Sequence, residues 1–130
     1  MGIRGTAAVG NRAEQRALSL LTNQGLRLVT RNFHHRGGEI DLVMLHDDSL
    51  VFVEVRYRKS AGFVAPAVTV DYRKQQKLVR SAAMFLSRNA HFANHTVRFD
   101  VVAIVGGGAS DSAAQAKWIK DAFRPRDSRL

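Results

Sequence analysis

Two apolar segments joined by a short polar turn constrain the fold of this chain more than any other feature. Residues 39–45 and 50–58 are rich in Val, Leu and Ile, and His46-Asp47-Asp48-Ser49 separates them. Segments of this length and composition are typical of β-strands, and Asp and Ser favour the turn that joins them. The pattern therefore predicts an antiparallel β-hairpin.

A turn centred between Asp47 and Asp48 also predicts which residues face each other across the hairpin. In this register Asp41 faces Glu54, and the next pair outward on the same face is Glu39 with Arg56. The opposite face is entirely apolar, which indicates that it packs on the core. Its predicted pairs are Met44 with Val51, Leu42 with Val53, and Ile40 with Val55.

The rest of the chain predicts helices before and after this hairpin. Thr6 could cap a first helix and Gly25 could end it. The order α-β-β-β-α-β-β predicts one α/β domain, residues 1–123, with a mixed β-sheet flanked by helices. The predicted helices are 6–25 and 70–89, and the predicted strands are 26–33, 39–45, 50–58, 97–105 and an edge strand at 117–123. Segments 60–66 and 106–115 are predicted to be flexible, and 124–130 to form a flexible basic tail.

The charge balance favours a polyanionic partner. The chain has 130 residues and a formal net charge of +9, and 15 of its 20 basic residues are Arg. Arg donates paired hydrogen bonds to phosphate, so nucleic acid is the predicted partner, with an acidic protein as the alternative. Cys is absent, which excludes disulfides and thiolate metal sites. No apolar segment approaches the roughly 18 residues of a membrane span, so the prediction is a cytoplasmic protein without membrane contact.

Asp41 and Glu54 are candidate site residues because each interrupts a strongly apolar strand. Carboxylates that face each other directly repel, and a divalent cation such as Mg²⁺ or Mn²⁺ relieves that repulsion. Arg56 and Arg58 lie on the same face of the strand as Glu54, where they could hold a phosphate. The alternative is that Asp41 forms an ordinary ion pair with an Arg side chain elsewhere and that Glu39 pairs with Arg56.

The pattern of Asp41 followed by Glu54-Val55-Arg56 resembles the Asp…(Asp/Glu)-x-Lys motif of restriction-endonuclease-like nucleases. Over residues 10–105 the chain resembles the YraN family of uncharacterised bacterial proteins, which is similar to archaeal Holliday junction resolvases in its order of elements. The stretches that carry this resemblance include Gly10-Asn11-Arg12-Ala13-Glu14, Arg31-Asn32-Phe33, Gly38-Glu39-Ile40-Asp41-Leu42, Val51-Phe52-Val53-Glu54-Val55-Arg56, Lys74 and Arg98-Phe99-Asp100-Val101-Val102.

The resemblance implies a restriction-endonuclease-like fold, nucleic-acid binding and metal-dependent hydrolysis of phosphodiesters in DNA, and the similarity to junction resolvases suggests a branched DNA as the substrate. Asp41 and Glu54 would hold Mg²⁺ or Mn²⁺ with Glu14 as a third ligand, and Arg56 would steady the phosphate. A two-fold homodimer would suit a branched substrate. The residues predicted to guide the nucleic-acid backbone are Arg36, Arg58, Arg73, Lys74 and Lys77.

Arg56 departs from the nuclease motif, which has Lys at this position. Arginine keeps its charge and is a poor base, so the alternative function is a catalytically inactive nucleic-acid-binding module of nuclease fold. Lys59 or Lys74 could substitute in space for the missing lysine. Asp100 has two open interpretations, a site residue or a partner for Arg98 on the same strand.

Overall fold

The computed structural model describes residues 2–58, 70–106 and 115–125, with side chains from residue 11 onward. The predicted order of elements is confirmed. The first helix begins at Gly2, so Thr6 does not cap it as predicted, and the first strand continues two residues beyond the predicted end. The elements are α1 (Gly2–Asn23), β1 (Arg27–His35), β2 (Gly38–His46), β3 (Ser49–Arg58), α2 (Tyr72–Arg88), a 3₁₀ turn (Ala90–Phe92), β4 (Thr96–Val105) and β5 (Gln115–Phe123).

The five strands form one mixed sheet in the order β1-β2-β3-β4-β5. Neighbouring strands are antiparallel except for the central pair, β3 and β4, which run parallel. A parallel pair needs a crossover connection, and α2 lies within the connection between β3 and β4. The α/β fold with a mixed sheet is therefore confirmed, and it is consistent with the nuclease-like fold that the resemblance implies.

The hairpin of β2 and β3 has the predicted register over most of its length. The paired residues run from His46 with Ser49 to Leu42 with Val53. Asp47 in the turn has a φ of 54°, a left-handed conformation that Asp tolerates better than most residues. The backbone ladder between β2 and β3 ends at Leu42 and Val53. The predicted pair of Asp41 with Glu54 is therefore not among the paired residues.

Both faces of the hairpin are buried, which corrects the expectation that only one face packs on the core. The face with Val43 and Phe52 packs in a cluster with Leu78, Ala82 and Phe85 of α2. The opposite face packs against α1, in the cluster Ala13, Ala17, Leu21, Leu42, Met44, Val51 and Val53. A sheet with a helix on each face buries both sets of alternating side chains, and its strands are then apolar almost throughout.

The strict alternation of side chains along β2 fails at Asp41. Ile40 was predicted to share a face with Leu42, but it packs with Val43 in the cluster under α2. Leu42 packs in the other cluster, under α1. The strand is therefore irregular at Asp41, the point at which its ladder with β3 ends.

The start of α2 depends on a side-chain cap. Asp71 has an extended backbone conformation, and its Oδ1 accepts a hydrogen bond of 2.9 Å from the backbone N–H of Lys74. We expect Asp71→Ala to lower the free energy of unfolding by about 1 kcal/mol, measured by urea denaturation with circular dichroism. Asp71→Asn, which keeps an acceptor, should lose clearly less. Equal losses in the two variants would contradict the role as a cap.

Some sequence predictions fall outside the described residues. The predicted flexible segment 60–66 lies outside them entirely, as do 107–114 of the second segment and 126–130 of the tail. At the described ends, the N–H of Gly106 donates to the carbonyl of Arg58, and Arg124 pairs with Asp121. Among the described residues, no helix is long and apolar enough to cross a membrane.

Candidate active site

Asp41 lies where β2 separates from β3, and its side chain replaces part of the missing backbone ladder. Its Oδ2 accepts a hydrogen bond of 2.8 Å from the backbone N–H of Val55. The residue is half-buried, between strands whose neighbouring side chains are buried and apolar. The carboxylate is therefore fixed in place by the backbone of the strand that carries Glu54.

The environment of Asp41 disfavours its negative charge. Burial, and after it the nearby carboxylate of Glu54, raise the pKa of Asp41 to about 7 against the lowering effect of the Val55 hydrogen bond. Glu39 adds a smaller repulsion, and Lys74 offsets part of it. A carboxyl group with so high a pKa binds a proton or a cation readily at neutral pH. Perturbed carboxyl groups of this kind are concentrated at functional sites.

Glu54 is close to Asp41 and forms an ion pair with the second helix. The Nζ atom of Lys74 lies 3.4 Å from Glu54 Oε2, and the two side chains are 42% and 13% exposed. Lys74 follows the cap of α2 by three residues, so the helix start places its ammonium group over the end of the hairpin. Lys74 was predicted to contact the nucleic-acid backbone, and the structure places it within reach of the carboxylate pair.

Glu14 approaches the same region from α1. Its half-buried side chain has one oxygen, Oε1, that is buried and has no hydrogen-bond partner among the described residues. Burial raises the pKa of Glu14, and the negative charge of Asp41 raises it further. An unpaired buried oxygen is costly unless a donor or cation binds it. The structure therefore places Glu14 near Asp41, which in turn lies near Glu54.

Asn32 is a site residue that the sequence analysis did not single out. Its side chain hydrogen-bonds Glu14, and it lies in β1 between the residues that pair with Leu42 and Ile40. Its φ is 51°, a left-handed conformation in the middle of a strand that Asn adopts more readily than most residues. An Asn inside an otherwise strand-forming segment was the available signal for it.

The residues present fit a divalent cation only in part. Within the described ranges, no three His, Asp or Glu side chains form a ready cage for a metal ion. Mg²⁺, however, is usually held by one or two carboxylates and completes its shell with water and substrate phosphate. Asp41 and Glu54 could supply those carboxylates, and the unpaired Oε1 of Glu14 could bind a water of the shell. The donor set is thus suited to a substrate-assisted metal site rather than to a permanent one.

The other predicted basic residues spread away from the carboxylates. Arg73 and Lys77 are exposed on α2, Arg36 is exposed in the β1–β2 turn, and Arg58 is exposed at the end of β3. Arg56, two residues after Glu54, is half-buried. These basic side chains therefore lie on several elements, and within the described part of the chain only Lys74 of the predicted backbone contacts is paired with a carboxylate of the candidate site.

Comparison with known proteins identifies one matching family. A family model described as "Uncharacterised protein family UPF0102" matches residues 13–104, which is more than half of the chain. This chain belongs to the UPF0102 family. The match confirms the resemblance to the YraN family, another name for UPF0102. All the carboxylates of the candidate site lie within the matched segment.

Individual UPF0102 proteins match nearly the whole chain. A UPF0102 protein of Pseudomonas putida strain W619 is 50% identical over 116 residues, covering 89% of this chain and 93% of the relative. One from Pseudomonas syringae pv. syringae strain B728a is 50% identical over 114 residues, covering 88% and 91%. One from Pseudomonas entomophila strain L48 is 47% identical over 117 residues, covering 90% and 94%.

The surroundings of Asp100 in this UPF0102 chain favour the second of its two interpretations, a partner for Arg98. It is only 1% exposed, and Arg98 donates to both of its oxygens at 2.9 and 3.0 Å. The indole of Trp118 and the backbone N–H of Asp121 each donate to it at 2.9 Å. With all these donors satisfied within β4 and β5, the carboxylate ties the edge strand to the sheet.

Proposed function

We propose that this protein binds nucleic acid and hydrolyses its phosphodiester bonds, most readily in DNA, at a metal-dependent site formed by Asp41 and Glu54. The observation that carries the proposal is the half-buried carboxyl group of Asp41, whose pKa is raised to about 7 by burial and by the adjacent Glu54. Such a pair is unfavourable for the fold and favourable for cation binding. The excess of Arg and the exposed basic residues on α2 and at the strand ends support a polyanionic substrate.

Each residue has a distinct proposed role. Asp41, fixed by the Val55 N–H, and Glu54 bind Mg²⁺ or Mn²⁺, and Glu14 orients water at its unpaired Oε1. The metal, when bound, supplies Lewis-acid activation of the phosphate and of an attacking water. Lys74, at 3.4 Å from Glu54, holds the attacking water or neutralises the phosphate. Arg56 keeps its charge and is a poor base, so its role is limited to neutralising the phosphate.

A specific observation also favours the second candidate function, a catalytically inactive nucleic-acid-binding module. The ammonium group of Lys74 already compensates the charge of Glu54, so it competes with a metal ion for that carboxylate. With Arg at position 56, the protein would then bind nucleic acid through its basic surface without cleaving it.

The test follows cleavage of end-labelled duplex, single-stranded and four-way-junction DNA while Mg²⁺ or Mn²⁺ is titrated. We expect metal-dependent cleavage by the unaltered protein and a loss of about 100-fold or more in Asp41→Asn and in Glu54→Gln, since either change removes a charged ligand. Asp48→Asn, at an exposed turn position, is the matched control and should cleave normally.

The outcomes separate the candidates. Cleavage that persists in both carboxylate variants would contradict the proposed site. Salt-sensitive binding without cleavage at any metal concentration would contradict hydrolysis and establish the binding module. Absence of salt-sensitive binding to any of the three DNA forms would contradict both functions.

A further inference from the structure

A second concave site lies between the β1–β2 turn and α2, apart from the carboxylates. It is an open cavity of about 530 Å³. Its lining residues from the turn are His35, Arg36 and Gly37, and those from α2 include Arg80, Ala83 and Met84. We call it the turn pocket. Its volume is in the range of small-ligand sites, which is about 300–1,000 Å³.

A part-buried hydrogen bond joins the two walls of the turn pocket. The Nδ1 atom of His35 accepts from the N–H of Gly37 at 3.1 Å, which leaves the ring proton of the neutral imidazole on Nε2. Nε2 donates to Ser81 Oγ at 2.6 Å, and Ser81 is 1% exposed. Gly38 has a φ of 155°, and a Cβ atom there would lie 3.2 Å from Ser81 Oγ. His35 and Gly38, on either side of Arg36, therefore both lie against Ser81 of α2, which fixes the position of the turn.

The two arginines of the turn pocket are available to an anion. Arg36 and Arg80 are both exposed. Within residues 11–58, 70–106 and 115–125, neither guanidinium forms an ion pair with a carboxylate. Two arginines from separate elements beside one cavity suit a phosphate group, which each can bind with two parallel hydrogen bonds.

Besides the arginines, His35 and Ser87, the turn pocket has an apolar part, so its lining differs from that of a site for a bare anion. Ala83 is exposed and the Met84 side chain, although large and apolar, is 38% exposed. Methionine adapts to flat apolar partners, including aromatic rings. A phosphate joined to a planar, largely apolar group, as in a nucleotide unit, matches both halves of the pocket.

The position of the turn pocket relates it to the carboxylate site. Arg80 follows Lys74 by six positions, which is a rise of about 9 Å along α2. Asp41 follows Gly38 by three positions, which is about 10 Å along β2. One strand of a nucleic acid advances about 3.4 Å per nucleotide in a duplex, so these distances correspond to roughly three nucleotides. Lys77, exposed on the same helix, lies between Lys74 and Arg80 in the sequence.

We infer that the turn pocket binds one nucleotide unit of the substrate strand, about three nucleotides from the bond over Asp41 and Glu54, with its phosphate on Arg36 and Arg80 and its unstacked base on Ala83 and Met84. The inference rests on the nucleic-acid binding of the proposed function and adds a substrate class to it. Because a base inside a regular duplex is stacked, the preferred substrate has a single-stranded or unpaired segment beside the cleavage position.

The test measures binding of fluorescent oligothymidine and of a duplex of equal length in buffer with a metal chelator, where no cleavage occurs. We expect Arg36→Ala/Arg80→Ala to weaken oligothymidine binding by about 10-fold and to reduce the slope of log affinity against log salt by about 1. The matched control is Arg27→Ala/Arg124→Ala, which removes the same charge from exposed positions at the opposite end of the sheet. Met84→Ala should weaken binding of oligothymidine more than that of the duplex.

Each result decides the inference. Equal losses in the two arginine double variants would overturn it, because net charge alone would then explain the binding. Inorganic phosphate should compete with oligothymidine for the turn pocket. If the Arg36 and Arg80 variants no longer respond to phosphate but keep full affinity for oligothymidine, the inference is overturned and the pocket is a small-anion site. The binding is measured without metal, so it does not depend on cleavage. If the protein fails to cleave but its Arg36 and Arg80 variant loses oligothymidine affinity as expected, the hydrolytic function is contradicted and the turn pocket is supported.

Discussion

Asp100→Ala is expected to lower the free energy of unfolding by about 3–5 kcal/mol, because it removes the counter-charge of a partly buried arginine. The Arg98 side chain is only 15% exposed, and its guanidinium donates two hydrogen bonds to Asp100. The same substitution leaves the Trp118 indole and the Asp121 N–H without their acceptor. All three donors would be left unsatisfied in or beside the core, and β5 would lose the side-chain hydrogen bonds that add to its backbone ladder with β4.

Urea denaturation followed by far-ultraviolet circular dichroism measures this loss without depending on the fluorescence of Trp118. Asp48→Ala, at an exposed turn position, is the control and should change the free energy of unfolding by less than about 0.5 kcal/mol. Arg98→Ala combined with Asp100→Ala should cost less than the sum of the single changes, because the two side chains share one interaction. A loss below about 1 kcal/mol in Asp100→Ala would contradict its structural role.

Asp41→Asn is expected to make the protein more stable at pH 8, with a gain on the order of 2–4 kcal/mol. The folded protein raises the pKa of Asp41 to about 7 from an ordinary value of 3.8, so it binds this proton more tightly than the unfolded chain does. The contribution of the protonated group is complete below about pH 4 and is lost as the pH rises to about 7. Asparagine is neutral at every pH and keeps an oxygen that can accept from the Val55 N–H.

Thermal unfolding of Asp41→Asn and the unaltered protein between pH 4 and pH 8 tests this expectation. The two should differ little near pH 4 and should diverge as the pH rises, by about 2–8 °C for each kcal/mol. Mg²⁺ at pH 8 should narrow the difference by stabilising only the protein that keeps Asp41. Asp48→Asn serves as the control with no pH-dependent gain. A constant or reversed difference across this pH range would show that Asp41 is not held in a charge-disfavouring site.

The regular parts of the fold could be predicted from local patterns. The two short apolar segments predicted β2 and β3, and the turn at Asp47 and Asp48 predicted their register as far as Leu42 and Val53. The apolar face of α2 was predictable for the same reason, since Leu78, Ala82 and Phe85 recur at helical spacing and are buried. In each case the residues that decide the structure are close in sequence and follow one period.

The irregular parts of the site could not be predicted in this way. A strict two-residue period placed Ile40 with Leu42, and it fails at Asp41 because the carboxylate takes the place of the ladder. The approach of Lys74 to Glu54 depends on how α2 packs over the sheet, which no local pattern specifies. Two carboxylates were nevertheless identifiable, because charged residues in apolar strands are rare enough to stand out.

The two open edges of the sheet carry features that oppose association through them. In β1 the pairing shifts between Leu28 and Thr30, and exposed Arg27 lies beside this bulge. In β5 the pairing shifts near Asp121, and Lys117 and Lys120 are exposed along the strand. Bulges and basic side chains on edge strands prevent a second sheet from adding its strands there. The described parts of β1 and β5 thus disfavour association of two copies of the chain through their sheet edges.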